Sequence, residues 1–331
     1  NPFLNIEKIK QRQFYVDYFY KDVLLRESIR EYLKDIYDIE RIAGKIIYGT
    51  ENGKDLLSLK DSIRKSLETY RLLREHQEIK DILDIDVKIL LDIYNKIELI
   101  VNSEAPFSVR EGGIIKDGYN SELDELRRIS KLGKDFILEI EQRERERTGI
   151  KGLKIKYNKV FGYFIEVTKA NEHLVPEDYI RKQTLVGAER YITPELKEME
   201  EELSEAETKI AELEYTLFTE LREHIFKNIA RIQNTSSNVA IIDVLVSLAE
   251  VAETNSYVKP QITTDGKIDI VLGRHPIVEK MLKNEKFIEN DCMLDNEENT
   301  ISVITGPNMS GKSTYMRQLA LIVILAQIGS F

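Results

Sequence analysis

The stretch ERERTGIKGLKIKYNKVFGYFIEV, residues 144–167, changes its apolar period at Gly149. Before that glycine the residues are mostly charged, as on the solvated face of a helix. From Leu153 to Tyr157, and again from Phe161 to Val167, apolar residues recur at every second position, which is typical of β-strands. The two runs meet around residues 158–160 and predict a β-hairpin that directly follows a helix.

A second long helix is predicted after this module. Residues 195–259 contain neither glycine nor proline, which favours a helix across the range. Thr193 is a suitable N-cap, and Pro194 suits the first helical position. Apolar residues then recur at alternating spacings of three and four, as in a coiled-coil seam. They are Leu196, Met199, Leu203, Ala206, Ile210, Leu213 and Leu217.

The partner of that helix is predicted upstream, in residues 119–148, which carry a seam of the same kind. Its members are Leu123, Leu126, Ser130, Gly133, Ile137 and Ile140. At ~1.5 Å per residue each helix would extend ~45 Å or more. The sequence therefore predicts a long helical hairpin with a strand module at its tip.

The rest of the chain divides into a helical part and an α/β part. Residues 3–105 contain no proline and carry apolar residues at helical spacing, which predicts several packed helices. After Pro260, strands are predicted at 267–272 and 300–304, and helices at 277–282 and 312–327, as at the start of an α/β domain. The predicted boundaries are a helical core with the first arm at 1–135, a β-rich tip at 136–195, a returning helix at 196–259 and an α/β part at 260–331.

The composition excludes several classes of protein. With 331 residues, of which 42% are hydrophobic, the chain can form more than one buried core. The single cysteine, Cys292, excludes an internal disulfide and a thiolate-rich zinc site, and the four histidines lack metal-ligand spacing. The longest unbroken apolar run, Leu319–Ala326, predicts no membrane span. The chain starts at Asn1 without a leader, so we expect an internal piece of a longer protein without a secretory signal.

Charge is distributed unevenly along the chain. The net charge of −10 disfavours binding to polyanions unless positive charge is concentrated locally. Residues 151–190 carry eight lysines and arginines against five acids, a local charge of +3. Residues 195–223 carry eleven acids against three basic residues, a local charge of −8. The predicted tip is therefore basic, and the helix that follows it is acidic.

A second informative stretch matches the pattern G-x-x-x-x-G-K-[ST]. This phosphate loop consists of Gly306, Pro307, Asn308, Met309, Ser310, Gly311, Lys312, Ser313 and Thr314. The apolar segment Ile301–Ile304 enters the loop and an apolar helix leaves it, an arrangement in which backbone N–H groups and a helix N-terminus hold phosphates. We expect ATP or ADP to bind here with Mg²⁺. Lys312 would reach the β and γ phosphates, and Ser313 would give its hydroxyl to the metal ion.

Hydrolysis requires more than this loop. An acidic residue at the end of a later strand must hold the water shell of Mg²⁺. No Asp or Glu follows Glu298, and we interpret Asp291 and Asp295 as turn residues. The catalytic residues are therefore not identified in this sequence, and we expect the chain to show no ATP turnover by itself.

The segment GPNMSGKSTYMRQ, residues 306–318, closely resembles the phosphate loop of the MutS family of DNA mismatch-repair ATPases. Four other segments resemble family segments in the family's order: REGGIIKDGYNSELDELR (110–127), ERERTGIKGLKIKYNKVFGYFIEV (144–167), QTLVGAERYITPELKE (183–198) and GRHPIVE (273–279). The resemblance covers nearly the whole chain. It implies a mainly α fold with a small β-rich DNA clamp at the tip of a long helical hairpin, followed by the start of an α/β P-loop ATPase domain.

The resemblance also implies roles for individual residues. Phe287 and Ile288 match the family pair that packs on the adenine base. The residues implied to contact DNA phosphates are Lys154, Lys156, Asn158, Lys159, Arg181 and Lys182. Contacts to phosphates alone make binding independent of sequence and sensitive to salt. For any one of these cations, the alternative is that it only keeps an exposed strand soluble.

For the whole protein, the resemblance implies a bacterial, cytoplasmic and nucleoid-associated ATPase that acts as a sliding clamp in DNA mismatch repair. Its implied partners are double-stranded DNA containing a mismatch, a second copy of itself and a MutL-type repair protein, with no membrane. The sequence departs from the family in two places. The N-terminal mismatch-reading domain, with its Phe-x-Glu wedge, has no counterpart here, and neither has the later acidic strand of the ATPase domain.

Two other classes of protein are compatible with parts of this pattern. Chromosome-maintenance and double-strand-break-repair ATPases also combine long helices with a phosphate loop, but their loop precedes the coil, whereas here it follows. A helical scaffold with a degenerate phosphate loop would have no nucleotide chemistry. Nucleotide binding that depends on Lys312 would distinguish the scaffold from the ATPase.

Overall fold

The structure is a computed structural model and describes residues 2–108, 112–158, 162–282, 286–307 and 310–331. Over these residues the protein is mostly helical with small antiparallel sheets, which confirms the mainly α class with a small β module. The chain divides into two compact units. The tip unit consists of residues 37–63 and 87–233, and the loop unit consists of residues 1–36, 64–86 and 234–331.

The helices and strands follow one another in a simple order. The helices are α1 (Ile6–Lys21), α2 (Val23–Lys34), α3 (Ile39–Tyr48), α4 (Gly53–Arg74), α5 (Val87–Ile100), α6 (Ser121–Thr148), α7 (Pro194–Lys227), α8 (Ile229–Thr254), α9 (Pro276–Met281) and α10 (Lys312–Gln327). The strands are β1 (Lys154–Asn158), β2 (Gly162–Thr168), β3 (Ile180–Thr184), β4 (Ala188–Ile192), β5 (Ile268–Gly273) and β6 (Asn290–Leu294).

The tip unit contains a four-stranded antiparallel sheet between α6 and α7 in sequence, which we call the tip sheet. Its strand order is β1-β2-β4-β3, so β1 and β3 are its two edges. Lys154 lies opposite Glu166, which confirms the predicted hairpin. One face of the sheet packs on α6 and α7, because Ile165 and Tyr191 are buried with Ile137 of α6. The apolar residues of the hairpin therefore anchor the sheet to the two helices, which we call the arm helices.

The arm helices pack where the predicted seams meet. Gly133 is buried in α6, and a Cβ added to it would lie 2.6 Å from Cδ2 of Leu203 in α7. The small residue of one seam thus accommodates a large residue of the other. Thr193 caps α7, since its side chain accepts a hydrogen bond from the Leu196 N–H at 3.2 Å. The predicted helical hairpin and N-cap are both observed.

Several charged residues are buried in the tip unit, and the most deeply buried carboxylate among those described is one that the sequence patterns did not reveal. Glu214 of α7 is 1% exposed. One of its carboxylate oxygens accepts a hydrogen bond from the Ile114 N–H at 2.8 Å, and the other pairs with Arg127 of α6 at 2.7 Å. Arg127 also donates to the Ile115 carbonyl at 2.9 Å. A buried charge is tolerated because it is fully paired.

In the loop unit, α8 buries a stripe of residues spaced at the helical period, including Val239, Ile242 and Ala249. The side-chain amides of Asn234 and Asn238 donate to the Asp84 carbonyl at 3.1 and 2.9 Å. By length and composition alone, α8 is the one helix in the described ranges that could cross a membrane, which the search for unbroken apolar runs did not indicate. Its buried stripe and paired asparagines are typical of a core helix.

Two predictions about regular structure were wrong. Residues 301–307 form no strand, and Ile301 and Val303 are 82% and 81% exposed. A strand needs a hydrogen-bonded neighbour, and none of the described residues pairs with this segment. The observed sheet of the loop unit is instead the antiparallel pair β5–β6, of which the sequence predicted only β5.

The second wrong prediction concerns the long helix over 195–259. It divides at Asn228 into α7 and α8, and α8 ends at Thr254. The Asn228 side chain donates to the His224 carbonyl at 3.1 Å and its N–H bonds to the last turn of α7. Asparagine competes for backbone groups in this way, which favours a helix end.

Candidate functional site

The phosphate loop begins at a glycine in an unusual conformation and ends at a helix N-terminus. Gly306 has φ 154° and Gly311 has φ 90°, values that L-residues with a Cβ rarely adopt. Gly311 is the N-cap of α10 and offers no side chain to the first N–H groups of the helix. These donors and the positive end of the helix dipole therefore remain available to an anion.

Lys312 lies across the loop rather than pointing away from it. Its ammonium donates to the Gly306 carbonyl at 2.5 Å, which joins the first glycine of the motif to the first residue of α10. The Ser310 N–H donates to the Pro307 carbonyl at 3.3 Å. Ser313 is exposed at the start of the helix. The predicted binding residues Asn308 and Met309 lie outside the described residues.

The segment before the loop supports the base of α10. The Tyr315 hydroxyl donates to the Asp291 carbonyl on β6 at 2.8 Å. Phe287 is half-buried, whereas Ile288 is 82% exposed and presents its side chain to solvent. The described part of the loop unit thus contains a tethered helix and an exposed aliphatic side chain, the two kinds of group expected around a nucleotide.

The two aspartates before the loop hold backbone amides. Asp291 Oδ1 accepts the Leu272 N–H at 2.6 Å. Asp295 accepts the N–H groups of Glu297 and Asn299, each at 2.9 Å. These donors, with those of Asn299 first, lower the pKa of Asp295 to about 2. Asp295 therefore lies in the turn after β6, as the sequence predicted, whereas Asp291 is a strand residue of β6 rather than a turn residue.

The residues predicted to contact DNA do not form one cluster. Lys154 and Lys156 lie on β1, and Arg181 and Lys182 lie on β3, the opposite edge of the tip sheet. Three strand spacings of ~4.8 Å separate the edges by ~14 Å. Asn158 is exposed at the end of β1. Lys159 lies outside the described residues.

Most of these cations are paired with carboxylates. Lys156 pairs with Glu166 at 2.8 Å, which together with Arg190 lowers the pKa of Glu166. Arg181 pairs with Glu172 at 2.9 Å and with the buried Glu189 at 2.5 Å. These ion pairs reduce the local positive potential that residue counting along the sequence suggested.

Lys182 and Gly162, the first residue of β2, lie next to the acidic part of α7. The Lys182 ammonium is 3.7 Å from a Glu200 carboxylate oxygen. A Cβ added to Gly162 would lie 1.4 Å from the Glu200 side chain, so the start of β2 contacts α7 directly. We call the opposite end of the tip sheet, with the β3–β4 turn, the distal end.

The distal end has exposed cations that the sequence analysis did not nominate. The Lys169 N–H donates to the Gly187 carbonyl at 3.2 Å, which puts Lys169 beside the β3–β4 turn. Lys151 lies at the same end of the sheet. It precedes β1, whose first residue, Lys154, is the register partner of Glu166 near the end of β2. Both side chains are exposed. The alternation of turns in an antiparallel sheet could have indicated this end, but the strand order was needed to apply it.

The middle of the sheet carries one further arginine. Arg190 of β4 lies over the ring of the buried Phe164 at 4.2 Å from its centroid. It donates to the Gln183 side chain at 2.8 Å and is 3.4 Å from Glu166. This arginine therefore packs and organises the outer face of the sheet, and only part of its charge faces solvent.

Two models of known protein families match the chain. The MutS family domain IV matches residues 118–209, which contain α6, the tip sheet and the first half of α7. The MutS domain V matches residues 302–331, which contain the phosphate loop and α10. The two structural regions described above thus correspond to two separate domains of one family.

Relatives are similar to the chain over its whole length. DNA mismatch repair protein MutS of Fusobacterium nucleatum subsp. nucleatum is 72% identical over 331 residues, covering 100% of this chain and 37% of that protein. The proteins of the same name from Acetivibrio thermocellus and Clostridioides difficile are each 50% identical and cover 100% of this chain, which spans 38% and 35% of their lengths. The chain therefore spans little more than a third of these curated relatives. With two family domains in order and this identity from end to end, the chain belongs to the MutS family.

Proposed function

We propose that the chain is the arm, DNA-clamp and nucleotide-loop portion of a DNA mismatch-repair ATPase. Under this proposal α6 and α7 are the arms, the tip sheet contacts the DNA backbone, and the phosphate loop binds ATP or ADP. The names of the relatives and the family domains support the process. The observation that carries the nucleotide site is Lys312, which lies at the N-terminus of α10 and reaches back over the loop to Gly306.

The residues of the loop fit a nucleotide phosphate. The first turn of α10 has no side-chain cap and so offers its N–H donors to an anion, and the glycine conformations let the backbone approach that anion closely. Lys312 would exchange its bond to the Gly306 carbonyl for phosphate oxygens, and the Ser313 hydroxyl would hold Mg²⁺. Bound Mg²⁺ would supply neutralising charge at the phosphates. Ile288 would offer an apolar surface to the base, with Phe287 beside it.

The nucleotide site is tested by titrating the chain with ADP and Mg²⁺ in a calorimeter. Lys312→Ala removes hydrogen bonds from a charged donor, which are worth about 1.5–3 kcal/mol, so we expect a loss of affinity of about tenfold to one-hundredfold. Arg317→Ala, which removes an exposed cation from the same helix, is the matched control. Equal affinities of the wild type and Lys312→Ala would remove the phosphate loop from the function.

We also propose that these residues bind ATP without hydrolysing it. No acid follows Glu298 in the sequence, and Asp291 and Asp295 are occupied with backbone amides. ATP turnover by the chain that disappears in Lys312→Ala would contradict this. For the whole protein we propose ATP hydrolysis, a homodimer, a MutL-type partner and a cytoplasmic, nucleoid-associated location, all by the family resemblance.

For DNA, we propose that the duplex approaches the distal end of the tip sheet. Lys151 and Lys169 are exposed there, and no ion pair within the described ranges involves either of them. The cations nominated from the sequence remain proposed contacts. Among those that the structure describes, Lys154 is exposed and has no ion pair, whereas Lys156, Arg181 and Lys182 face carboxylates. Binding through phosphates alone would be independent of sequence and weakened by salt.

A further inference from the structure

The corner between β5 and α9 contains three consecutive residues that contact three different helices. They are Gly273, Arg274 and His275, the first three residues of the motif GRHPIVE, for which the nucleotide and DNA sites provide no role. His275 has the simplest contact, since it caps α9 by accepting the Val278 N–H at 3.3 Å on Nδ1. All these contacts lie within residues 234–331 of the loop unit.

Arg274 holds the C-terminal end of α8. Its guanidinium donates to the Asn255 carbonyl at 3.0 Å and to the Ser256 carbonyl at 3.2 Å. It also pairs with Glu279 of α9 at 2.8 Å and lies over the Tyr257 ring at 5.7 Å from its centroid. A cation at this position complements the negative end of the helix dipole. One side chain thus joins the end of α8 to α9.

The turn that Arg274 holds is itself unusual. Ser256 has φ 52°, a left-handed conformation that is uncommon for a residue other than glycine. The Tyr257 N–H closes this turn by donating to the Ala252 carbonyl at 2.9 Å. Such a conformation persists only where surrounding contacts maintain it, and Arg274 supplies two of those contacts. The end of α8 is therefore sensitive to the position of Arg274.

Gly273 makes the corresponding contact with α10. It is buried, and a Cβ added to it would lie 2.8 Å from Nε2 of Gln318 and 2.9 Å from the Asn290 carbonyl. Gln318 is fully buried, and neither polar atom of its amide has a hydrogen-bond partner in the part of the chain that the structure describes. An unsatisfied buried amide is costly, so a shift of α10 that changes its surroundings changes the energy of this contact.

We infer that the Gly273–Arg274 corner transmits a displacement of the phosphate-loop helix to the end of α8. The inference rests on the proposed nucleotide site, because nucleotide is what would displace α10. Lys312 and Gln318 are about two turns apart on one continuous helix, so a displacement of Lys312 should displace Gln318 by a similar amount. Gly273 contacts that glutamine, and the adjacent Arg274 holds the turn after α8.

The test measures hydrogen–deuterium exchange of the chain with and without ADP and Mg²⁺. In the wild type we expect ADP to change the exchange rates of residues 312–318 and of residues 252–257, the latter by about fivefold or more. In Arg274→Ala the change at 312–318 should persist, while the change at 252–257 should disappear. Arg274→Lys, which keeps the charge but not the planar fork of donors, should restore only part of it.

Two further variants make the outcome decisive. If Arg274→Ala does not fold, Gly273→Ala takes its place in the test. Its Cβ would crowd Gln318 at the other contact of the corner, and the variant should also uncouple the two segments. Lys280→Ala removes an exposed cation of α9 and should leave both changes intact. An ADP-induced change at 252–257 that survives in Arg274→Ala and Gly273→Ala would overturn the inference. No change at 312–318 in the wild type would instead overturn the proposed nucleotide site, and the inference with it.

Discussion

The tip sheet and the phosphate-loop segment are both short apolar patterns in the sequence, but they differ in what surrounds them. In the tip sheet, every strand has a neighbour and the inner face is buried on the arm helices. In the phosphate-loop segment, Ile301–Ile304 has the composition of a strand but no neighbour in the described ranges, and most of it is exposed. Alternating or apolar residues therefore specify a strand only where a pairing partner is present.

The largest effect should come from removing a core side chain of the tip sheet. Ile165 is fully buried, so Ile165→Ala removes packed methyl groups and leaves a cavity. We expect it to lower the free energy of unfolding of the tip unit by about 2–5 kcal/mol. Chemical denaturation followed by circular dichroism measures the change.

The same substitution in the other region provides the contrast. Ile301→Ala alters a side chain that is 82% exposed and should change the free energy of unfolding by less than about 0.5 kcal/mol. Equal losses in the two variants would show that residues 301–304 are packed after all, and the comparison between the two regions would fail.

The second prediction concerns the DNA contacts of the distal end. Charge reversal of Lys151 and Lys169 to glutamate should weaken binding to matched and mismatched duplexes alike. If each lysine contacts one phosphate, the slope of log affinity against log salt should become shallower, its magnitude decreasing by about 2. Fluorescence anisotropy at several salt concentrations measures both quantities.

A matched variant identifies the face of the tip sheet that DNA contacts. Lys156→Glu reverses a cation that is already paired with Glu166, and it should have the smaller effect per charge. A loss confined to mismatched DNA, or a larger loss in Lys156→Glu, would move the contact surface away from the distal end.

The third prediction contrasts two glycines that are needed for different reasons. Gly133→Ala places a Cβ against Leu203 of the other arm helix and should cost about 1–3 kcal/mol through overpacking. Gly311 has open space around it but a φ of 90°, so Gly311→Ala should cost about 1–2 kcal/mol through backbone strain. Rescue of Gly133→Ala by Leu203→Ala, with no such rescue of Gly311→Ala, would separate the two causes in thermal denaturation.

The smallest effect is expected at a helix cap. Thr193 satisfies the first turn of α7 with its own side chain, so Thr193→Ala should cost about 1 kcal/mol. At α10 the corresponding residue, Gly311, makes no such bond. Addition of inorganic phosphate should therefore raise the melting temperature of the wild type and of Thr193→Ala by the same amount. A larger shift in Thr193→Ala would mean that the anion also binds at the N-terminus of α7 once its cap is removed.

Much of the tip unit could be predicted from the sequence because its determinants are local. The spacing of Leu196 and Leu203, the cap at Thr193 and the alternation in the hairpin are each read within a few residues, and the partners lie nearby in the chain. The ion pair of Arg181 with Glu189 and the approach of Glu200 to Gly162 depend on strand order. Counting charges along the sequence could not reveal that pairing.

In the phosphate-loop segment, only part of the structure is determined by local residues. The glycines, Lys312 and the helix after them follow from the motif itself, whereas the strand before it depends on neighbours outside the pattern. The burial of Glu214 was also beyond sequence reasoning, because a glutamate between seam positions on an acidic helix looks like one more solvated side chain. Only the distant Ile114 N–H and Arg127 make its burial favourable.

Glu214 has a mechanical consequence for the arm helices. Two long helices joined only by leucine and alanine contacts could slide past each other by a heptad and lose little contact area. Such a slip would strip the buried carboxylate of both its donors, so one register is strongly preferred. The two arm helices therefore keep one register along their length. A displacement at the base of one helix should move both helices together with the sheet.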